Sequence, residues 1–364
     1  MWIVGFLLVL GPLVTLHELG HYLVARWFGV KAEAFSIGFG KEMFGWTDKH
    51  GTRWKLSMLP LGGYVQFKGD MNPASIPDAQ QMASVSKEER DGSFQYAALW
   101  KRALIVFAGP AANLLITIAI FAAFNMIYGT IEASSKIGGF SDDSPAAAAG
   151  LLVDDRIVAI DGRSMDGFQD VSQTVMMYPG RTVDVTVERG GRDITMPVTL
   201  ASVTEKDRFG NESRIGRIGI YAAAPRAVPV GPGESLVLAV DQTGSIMRMM
   251  ITGIAQIFTG ERSVKELGGP IKIAKYSGEQ LSLGPLAFVN FVALISINLA
   301  FINLLPIPAL DGGHLAFYAA EAIRRKPVGL RGQEMAYRTG VAFVLALMLF
   351  VTIQDLVTLP LFGG

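Results

Sequence analysis

Residues 2–25 read WIVGFLLVLGPLVTLHELGHYLVA, an apolar run whose only ionisable members are His17, Glu18 and His21. As a helix rising about 1.5 Å per residue, the run is long enough to cross the roughly 30 Å hydrocarbon core of a bilayer. A signal peptide is the competing reading. It fails because there is no basic start, no small-residue cleavage site, and the apolar run is too long. His17 and His21 stand four residues apart and so share one helix face. Two imidazoles so placed can bind one metal ion, while the adjacent glutamate reaches water on that ion. Ionisable groups at bilayer depth are costly and mark function, and three together without a metal would be hard to rationalise. His17 falls roughly 20–25 Å along the helix, so the metal would lie beneath the membrane surface.

The rest of the composition agrees with a membrane setting. Of 364 residues, 50% are hydrophobic and 18% charged, which is too apolar for an ordinary soluble enzyme yet leaves room for one extramembrane domain. Net charge is zero, so charge offers no support for a nucleic-acid partner. With no cysteine in the chain, disulfides are excluded and a metal site must use His, Asp or Glu.

Working outward, three further spans follow the first (1–28): 98–125, 285–308 and 337–359. Basic residues orient them. Arg26, Lys31, Lys41, Lys49, Arg53 and Lys55 lie between the first two spans, and Arg324, Arg325, Lys326, Arg331 and Arg338 around the last connection. By the positive-inside rule both connections are cytoplasmic, and the region between spans two and three lies outside, in the periplasm of a bacterium. Within 29–97, AFSIGFG and GTRWKLSMLPLGGYVQFKG alternate apolar and polar residues about a DKHG turn. They read as a β-hairpin or small sheet, with His50 exposed in the turn. Residues 71–95 are polar and rich in Pro, Ser and Gln, and read as a mobile segment.

Residues 134–222 read as a compact α+β domain: SPAAAAGLLVDDRIVAIDGRSMDGFQDVSQTV and then two alternating strands joined at Gly190-Gly191. In the linker and helices of 223–284, Leu236, Val240, Thr243, Met247, Met250 and Ile254 recur at helical spacing. With Asp241, Gln242, Arg248 and Gln256 among them, they suggest an amphipathic helix on the membrane, a fifth span being the lesser reading. Gly268-Gly269-Pro270-Ile271 reads as a turn into another helix.

Catalytic zinc takes three protein ligands and keeps one position for water. The third ligand must come from elsewhere in the chain, and NLLPIPALDGGH, residues 303–314 at the end of the third span, offers the best candidate. Asp311 is the leading candidate and His314 the rival. Two prolines break the helix before Asp311 and two glycines free the backbone after it. Irregular backbone at this depth is tolerated where it lines a protein or watery cavity. The segment 309–336 otherwise reads as a cytoplasmic loop. Asn113, in Gly109-Pro-Ala-Ala-Asn113 of the second span, reads as a capping or packing residue near a Gly-Pro break.

Together, HELGH in the first span, GPAAN in the second and NLLPIPALDGG in the third resemble the site-2 protease family of intramembrane zinc metalloproteases. The likeness is to the bacterial RseP-type form, here with a single PDZ domain. HExxH alone is moderately specific, whereas its union with N-x-x-P-x-P-x-x-D-G at membrane depth is strongly specific. The resemblance implies a polytopic α-helical membrane protein with four transmembrane helices, a membrane-associated β-hairpin or sheet, and an inserted α+β PDZ domain. It implies one zinc ion on His17, His21 and Asp311, Glu18 as general base, and Asn303 bound to substrate backbone. Gly38, Phe39 and Gly40 match the family's membrane-dipping element, which presents substrate as an added strand. The implied partners are the lipid bilayer and single-span membrane proteins such as anti-sigma factors, with remnant signal peptides as further substrates and peptide C-termini at the PDZ domain. The implied location is the bacterial inner membrane, with the PDZ domain periplasmic and the active site near the cytoplasmic side. Asp154 stands where such PDZ domains usually have Gly, which bears on one local turn.

Two other classes compete. A membrane zinc transporter can line its path with His-Glu-x-x-His, but it predicts more spans with polar stripes and needs no PDZ domain. A catalytically silent PDZ scaffold leaves Glu18 and Asp311 at membrane depth without a reason.

Overall fold

The computed structural model describes residues 1–69, 90–132, 134–206, 212–223, 226–261, 263–264, 268–326 and 328–358. In chain order, helix α1 (Trp2–Trp27) precedes strands β1 (Ala32–Thr47) and β2 (Arg53–Phe67), and then helix α2 (Leu99–Tyr128). Next come β3 (Thr130–Glu132), β4 (Ile137–Phe140), α3 (Pro145–Ala148), β5 (Arg156–Ile160), β6 (Arg163–Ser164) and α4 (Phe168–Met176). Strands β7 (Thr182–Arg189), β8 (Arg192–Thr199), β9 (Ala201–Lys206), β10 (Glu212–Arg217), β11 (Ile220–Ala222) and β12 (Arg226–Val228) follow. Helices α5 (Pro232–Thr259), α6 (Pro270–Ser282), α7 (Pro285–Leu304), α8 (Asp311–Arg324) and α9 (Leu330–Thr358) complete the order. The chain divides into two compact units, Met1–Phe121 with Gly268–Leu356, and Ala122–Leu267 with Val357–Gly364.

Among the described residues, four helices are long and apolar enough to cross a membrane: α1, α2, α7 and residues Gly332–Val357 of α9. Helix α5 has 28 residues but is not among them; Glu234, Asp241 and Arg248 interrupt its apolar sequence. The last helix begins at Leu330, ahead of the expected 337, because residues 330–336 hold the strong helix formers Gln333, Glu334 and Met335. The stretch 309–336 is likewise largely helical, since α8 starts at Asp311 itself. Most of the segment expected to be mobile, residues 70–89, lies outside the described residues. At its end Phe94 is buried, in a 3-10 turn.

In the first unit, α1 buries Gly5, Val9, Leu13, His17, His21 and Ala25, a stripe with a period of four. Four residues turn an α-helix about 400°, so the stripe drifts about 40° per step and winds around the helix. Its early end faces α6, where a Cβ on Gly5 would lie 2.7 Å from the Ser277 backbone. Its late end faces α2, where a Cβ on Gly20 would meet the Ala108 carbonyl and the Ala112 Cβ. Small residues here bring two backbones close enough for side chains of one to be held by the other.

Strands β1 and β2 form more than a plain hairpin. The first half of β1 has β2 on both sides, with Phe35 opposite Val65 on one and Trp54 on the other. The bends occur at Gly38, Gly40 and Gly62, whose φ values of 89°, 91° and 104° suit glycine. Phe35, Val65, Phe67 and Phe94 join Tyr22, Ala25 and Ile105 in one buried cluster, seating the sheet on α1 and α2. Asp48 fixes the far turn by accepting from the His50 and Thr52 backbone N–H groups at 2.8 and 3.0 Å. It also accepts from Trp54 Nε1 at 3.0 Å and from the Tyr22 hydroxyl at 3.3 Å. These bonds, the indole first, hold its carboxyl down at about 2.

The second unit centres on a four-stranded sheet of order β6-β5-β7-β8. Val183, Val185 and Val187 alternate inward along β7 and pack with Ile157, Ile160, Val171, Val175 and Val198. Helix α3 is capped by the Ser144 hydroxyl, which accepts from Ala147 N at 3.2 Å, and begins with Pro145. Asp154 adopts the left-handed conformation with φ 74°, so the aspartate fills the turn that glycine would otherwise make. Helix α5 is fastened to this unit by Gln256, whose Nε2 donates to the Met177 carbonyl at 2.6 Å. Ser235, Ala239 and Thr243 are its buried face, while Leu236 and Val240 point outward.

Candidate metal centre

Three elements of the first unit deliver the site. Helix α1 supplies His17, Glu18 and His21. Helix α2 approaches so closely that a Cβ on Gly109 would strike His21 Nε2 and lie 2.9 Å from His17 Cε1. Proline 110, within α2, has no N–H to donate to the helix. Helix α8 supplies Asp311 as its first residue, with Leu310 as N-cap.

The path into α8 is short and tightly packed. Residues 305–310 turn the chain after α7, and Ala309 takes a φ of 95°, strained for an L-residue. Gly312 and Gly313 lie in the first helical turn, and their role is close approach. A Cβ on Gly312 would run into the Leu304 and Leu305 carbonyls, and one on Gly313 would lie 2.7 Å from Pro308 Cα. Gly340 of α9 closes on Pro308 from another side. The two glycines after Asp311 thus hold the turn against the helix rather than loosening it.

His17 Nε2, His21 Nε2 and Asp311 Oδ2 converge. The two nitrogens are 3.3 Å apart, and they lie 3.1 and 3.6 Å from the carboxylate oxygen. Ligands bound tetrahedrally to zinc at about 2.0–2.1 Å are separated by about 3.3 Å, so these atoms mark three corners of such a shell. His21 Nδ1 lies 2.8 Å from the Ile105 carbonyl oxygen. A carbonyl can only accept, so Nδ1 carries the proton and Nε2 keeps its lone pair for a metal. Asp311 Oδ2 is buried with the two Nε2 atoms at 3.1 and 3.6 Å as its near polar neighbours, and a divalent cation placed among the three would satisfy them together. His17, His21 and Asp311 are the only such cluster among the described residues. On donor chemistry and spacing, the residues present fit zinc.

A cavity of about 660 Å³ opens over these atoms. Glu18 lines it, together with Gly63 and Val65 of β2. Asn303, in the last turn of α7, and Phe39 line it as well. Gly38 and Gly40 are not among the lining residues and act as bends on either side of Phe39. His314, the rival third ligand, lines the cavity but falls outside the three-atom cluster. Tyr64, Asn113 and Tyr337 also reach the cavity. Tyr337 lies in no recognisable motif and is brought in by packing alone. Asn113 is fully buried, and its amide lies 3.3 Å from His17 Nδ1, a position that its reading as a helix-break residue did not anticipate.

The sequence model of peptidase family M50 matches residues 5–347. A protein of Agrobacterium fabrum carrying a provisional zinc-metalloprotease name is 44% identical over 362 residues, covering 98% of this chain and 96% of its own. A similarly named protein of Rhizobium meliloti is 43% identical over 355 residues, covering 96% and 95%. Metalloprotease MmpA of Caulobacter vibrioides is 35% identical over 383 residues, covering 97% and 95%. Among solved structures, the PDZ domain of an SdrC-like protein from Listeria innocua matches 26% of this chain and 99% of its own, at 24% identity and a TM-score of 0.20.

Proposed function

The chain belongs to peptidase family M50, a family of zinc metalloproteases, and we propose that it is an intramembrane endopeptidase cutting the transmembrane segments of single-span membrane proteins. One observation carries this reading. Three ligand atoms with tetrahedral spacing meet beside Glu18, two of them on α1, a helix apolar enough to cross a bilayer, and the third at the start of α8.

One zinc ion per chain, held by His17, His21 and Asp311, would supply Lewis acidity, acidifying a water and polarising the scissile carbonyl. Glu18 takes the proton of the attacking water and later delivers it to the leaving amine. Asn303 hydrogen-bonds the substrate backbone from the end of α7 and helps hold the developing oxyanion. A helical substrate must be unwound before its peptide bond is reachable. The sheet that carries Gly38, Phe39 and Gly40 offers strand pairing for the unwound segment.

The basic connections orient the protein in a bacterial inner membrane with its zinc site near the cytoplasmic side and residues 134–222 in the periplasm. That periplasmic part serves as a PDZ filter, docking newly exposed C-termini or holding back bulky substrates. Anti-sigma factors and remnant signal peptides have the required single-span form. The test is reconstitution with a truncated single-span substrate, comparing wild type with Glu18→Gln and measuring bound zinc in both. Zinc retained with cleavage lost only in the variant supports the reading. Equal cleavage in both, or zinc flux in place of cleavage, overturns it.

A further inference from the structure

The second span contributes one polar side chain at the depth of the metal centre. Asn113 is 0% exposed. Its backbone carbonyl is gripped by two hydroxyls, Ser296 Oγ of α7 at 2.8 Å and Thr117 Oγ1 at 3.0 Å. Thr117 Oγ1 also lies 3.2 Å from the Ala293 carbonyl, and Ser296 and Thr117 are themselves fully buried. So many bonds fix the main chain of Asn113 that its side chain has a defined place, and its amide nitrogen Nδ2 lies 3.3 Å from His17 Nδ1. The other end of the amide, Oδ1, is buried with no hydrogen-bond partner.

Two arrangements of this contact exist, related by a half-turn of the amide. With Nδ2 donating, His17 Nδ1 is the acceptor and the ring proton sits on Nε2, the atom facing His21 and Asp311. No lone pair is then left there for a metal. With Oδ1 accepting, the proton sits on Nδ1, the unpartnered oxygen gains a donor, and Nε2 is free to bind. His21 is already fixed in this second state by the Ile105 carbonyl.

We propose that Asn113 is a positioning residue for zinc: its side-chain oxygen accepts from His17 Nδ1–H and so sets the tautomer in which Nε2 ligates. Helix α2 therefore holds both histidines from behind, His21 through a main-chain carbonyl and His17 through an amide side chain. In this role Asn113 acts through His17. The inference rests on the zinc reading of His17, His21 and Asp311.

The experiment measures zinc affinity of the full chain in detergent by competition with chelators of graded strength, for wild type, Asn113→Leu and Asn113→Asp. Leu keeps the branched shape and removes the acceptor, whereas Asp keeps the acceptor and removes the NH2 group. Loss of an outer partner of a metal-bound histidine typically weakens binding about 10–100-fold. That loss is expected in Asn113→Leu, with Asn113→Asp equal to wild type or tighter. Leu equal to wild type, or Asp weakened as much as Leu, overturns the assignment. If Asn113→Leu fails to fold, Asn113→Asp decides alone: wild-type affinity or better supports the proposal, and a tenfold loss overturns it. A wild-type chain that binds no zinc would instead fail the reading on which the inference rests.

Discussion

His21 Nδ1 and the Ile105 carbonyl oxygen, 84 residues apart in the chain, lie 2.8 Å from each other. A main-chain oxygen of one apolar helix thereby dictates which nitrogen of an imidazole on another can bind metal. The same two helices meet through Gly20 and Gly109, so the candidate metal centre and the helix interface share one contact.

The third ligand can be settled by zinc content. Asp311→Ala is expected to lose most bound zinc, because it removes the carboxylate that, among the described residues, completes the cluster with both Nε2 atoms. His314→Ala is expected to keep it, since His314 lines the cavity without joining the cluster. Elemental analysis of the purified variants decides; the opposite pattern would move ligation to His314.

Glycine 109 has no room for a methyl group. Gly109→Ala would push a carbon into both imidazoles, and overpacking of this kind costs about 1–3 kcal/mol. A lower melting temperature and weaker zinc binding are expected. Gly11→Ala, with open space at its Cβ, should be neutral or stabilising, because alanine favours helix. Similar behaviour of the two variants would argue against the close contact.

Asp355 of α9 organises the start of α6. Its oxygens accept from Gly269 N at 3.1 Å and Lys272 N at 3.0 Å, as an N-cap would. Removing it in Asp355→Ala should cost about 1–2 kcal/mol, a typical value for losing such a cap. Asp355→Asn, which keeps one acceptor oxygen, should lie between the two in melting temperature. An unchanged melt in Asp355→Ala would show that α6 starts without this cap.

Acid should loosen the second unit through Asp155. The carboxylate is buried and accepts from Arg189 Nε at 2.7 Å, Arg189 Nη2 at 2.6 Å and Leu152 N at 2.8 Å. The Arg189 hydrogen bonds hold its carboxyl below the usual range. A depressed folded value means that the contribution is complete above the unfolded value of about 3.9 and is lost as pH falls through the folded one. Amide exchange in β5, β7 and β8, corrected for intrinsic rates, should therefore accelerate below about pH 4. Asp155→Asn should exchange faster at neutral pH and lack that acid step. Identical protection in the two proteins at pH 7 would refute the role.

Much of this molecule is local and could be read from residues in order. The apolar runs define candidate spans because a bilayer demands about twenty residues without charge. His17-Glu18-x-x-His21 defines one helix face because helical geometry puts residues four apart together. The alternation in β7 and the Gly190-Gly191 turn announce a sheet. What remained was decided by contact between distant parts of the chain. Whether Asp311 or His314 joins the histidines depends on how residues 305–310 turn against α8, and that turn is set by carbonyls packed where Gly312 and Gly313 have no side chain. The halves of β2 lie on both sides of β1 because glycine bends fold the sheet back on itself, which alternation does not encode. Asn113 reads as one more residue near a Gly-Pro break until α1 and α2 meet. Periodicity along a chain specifies which face a residue occupies, but only packing of one face on another selects the atom it touches.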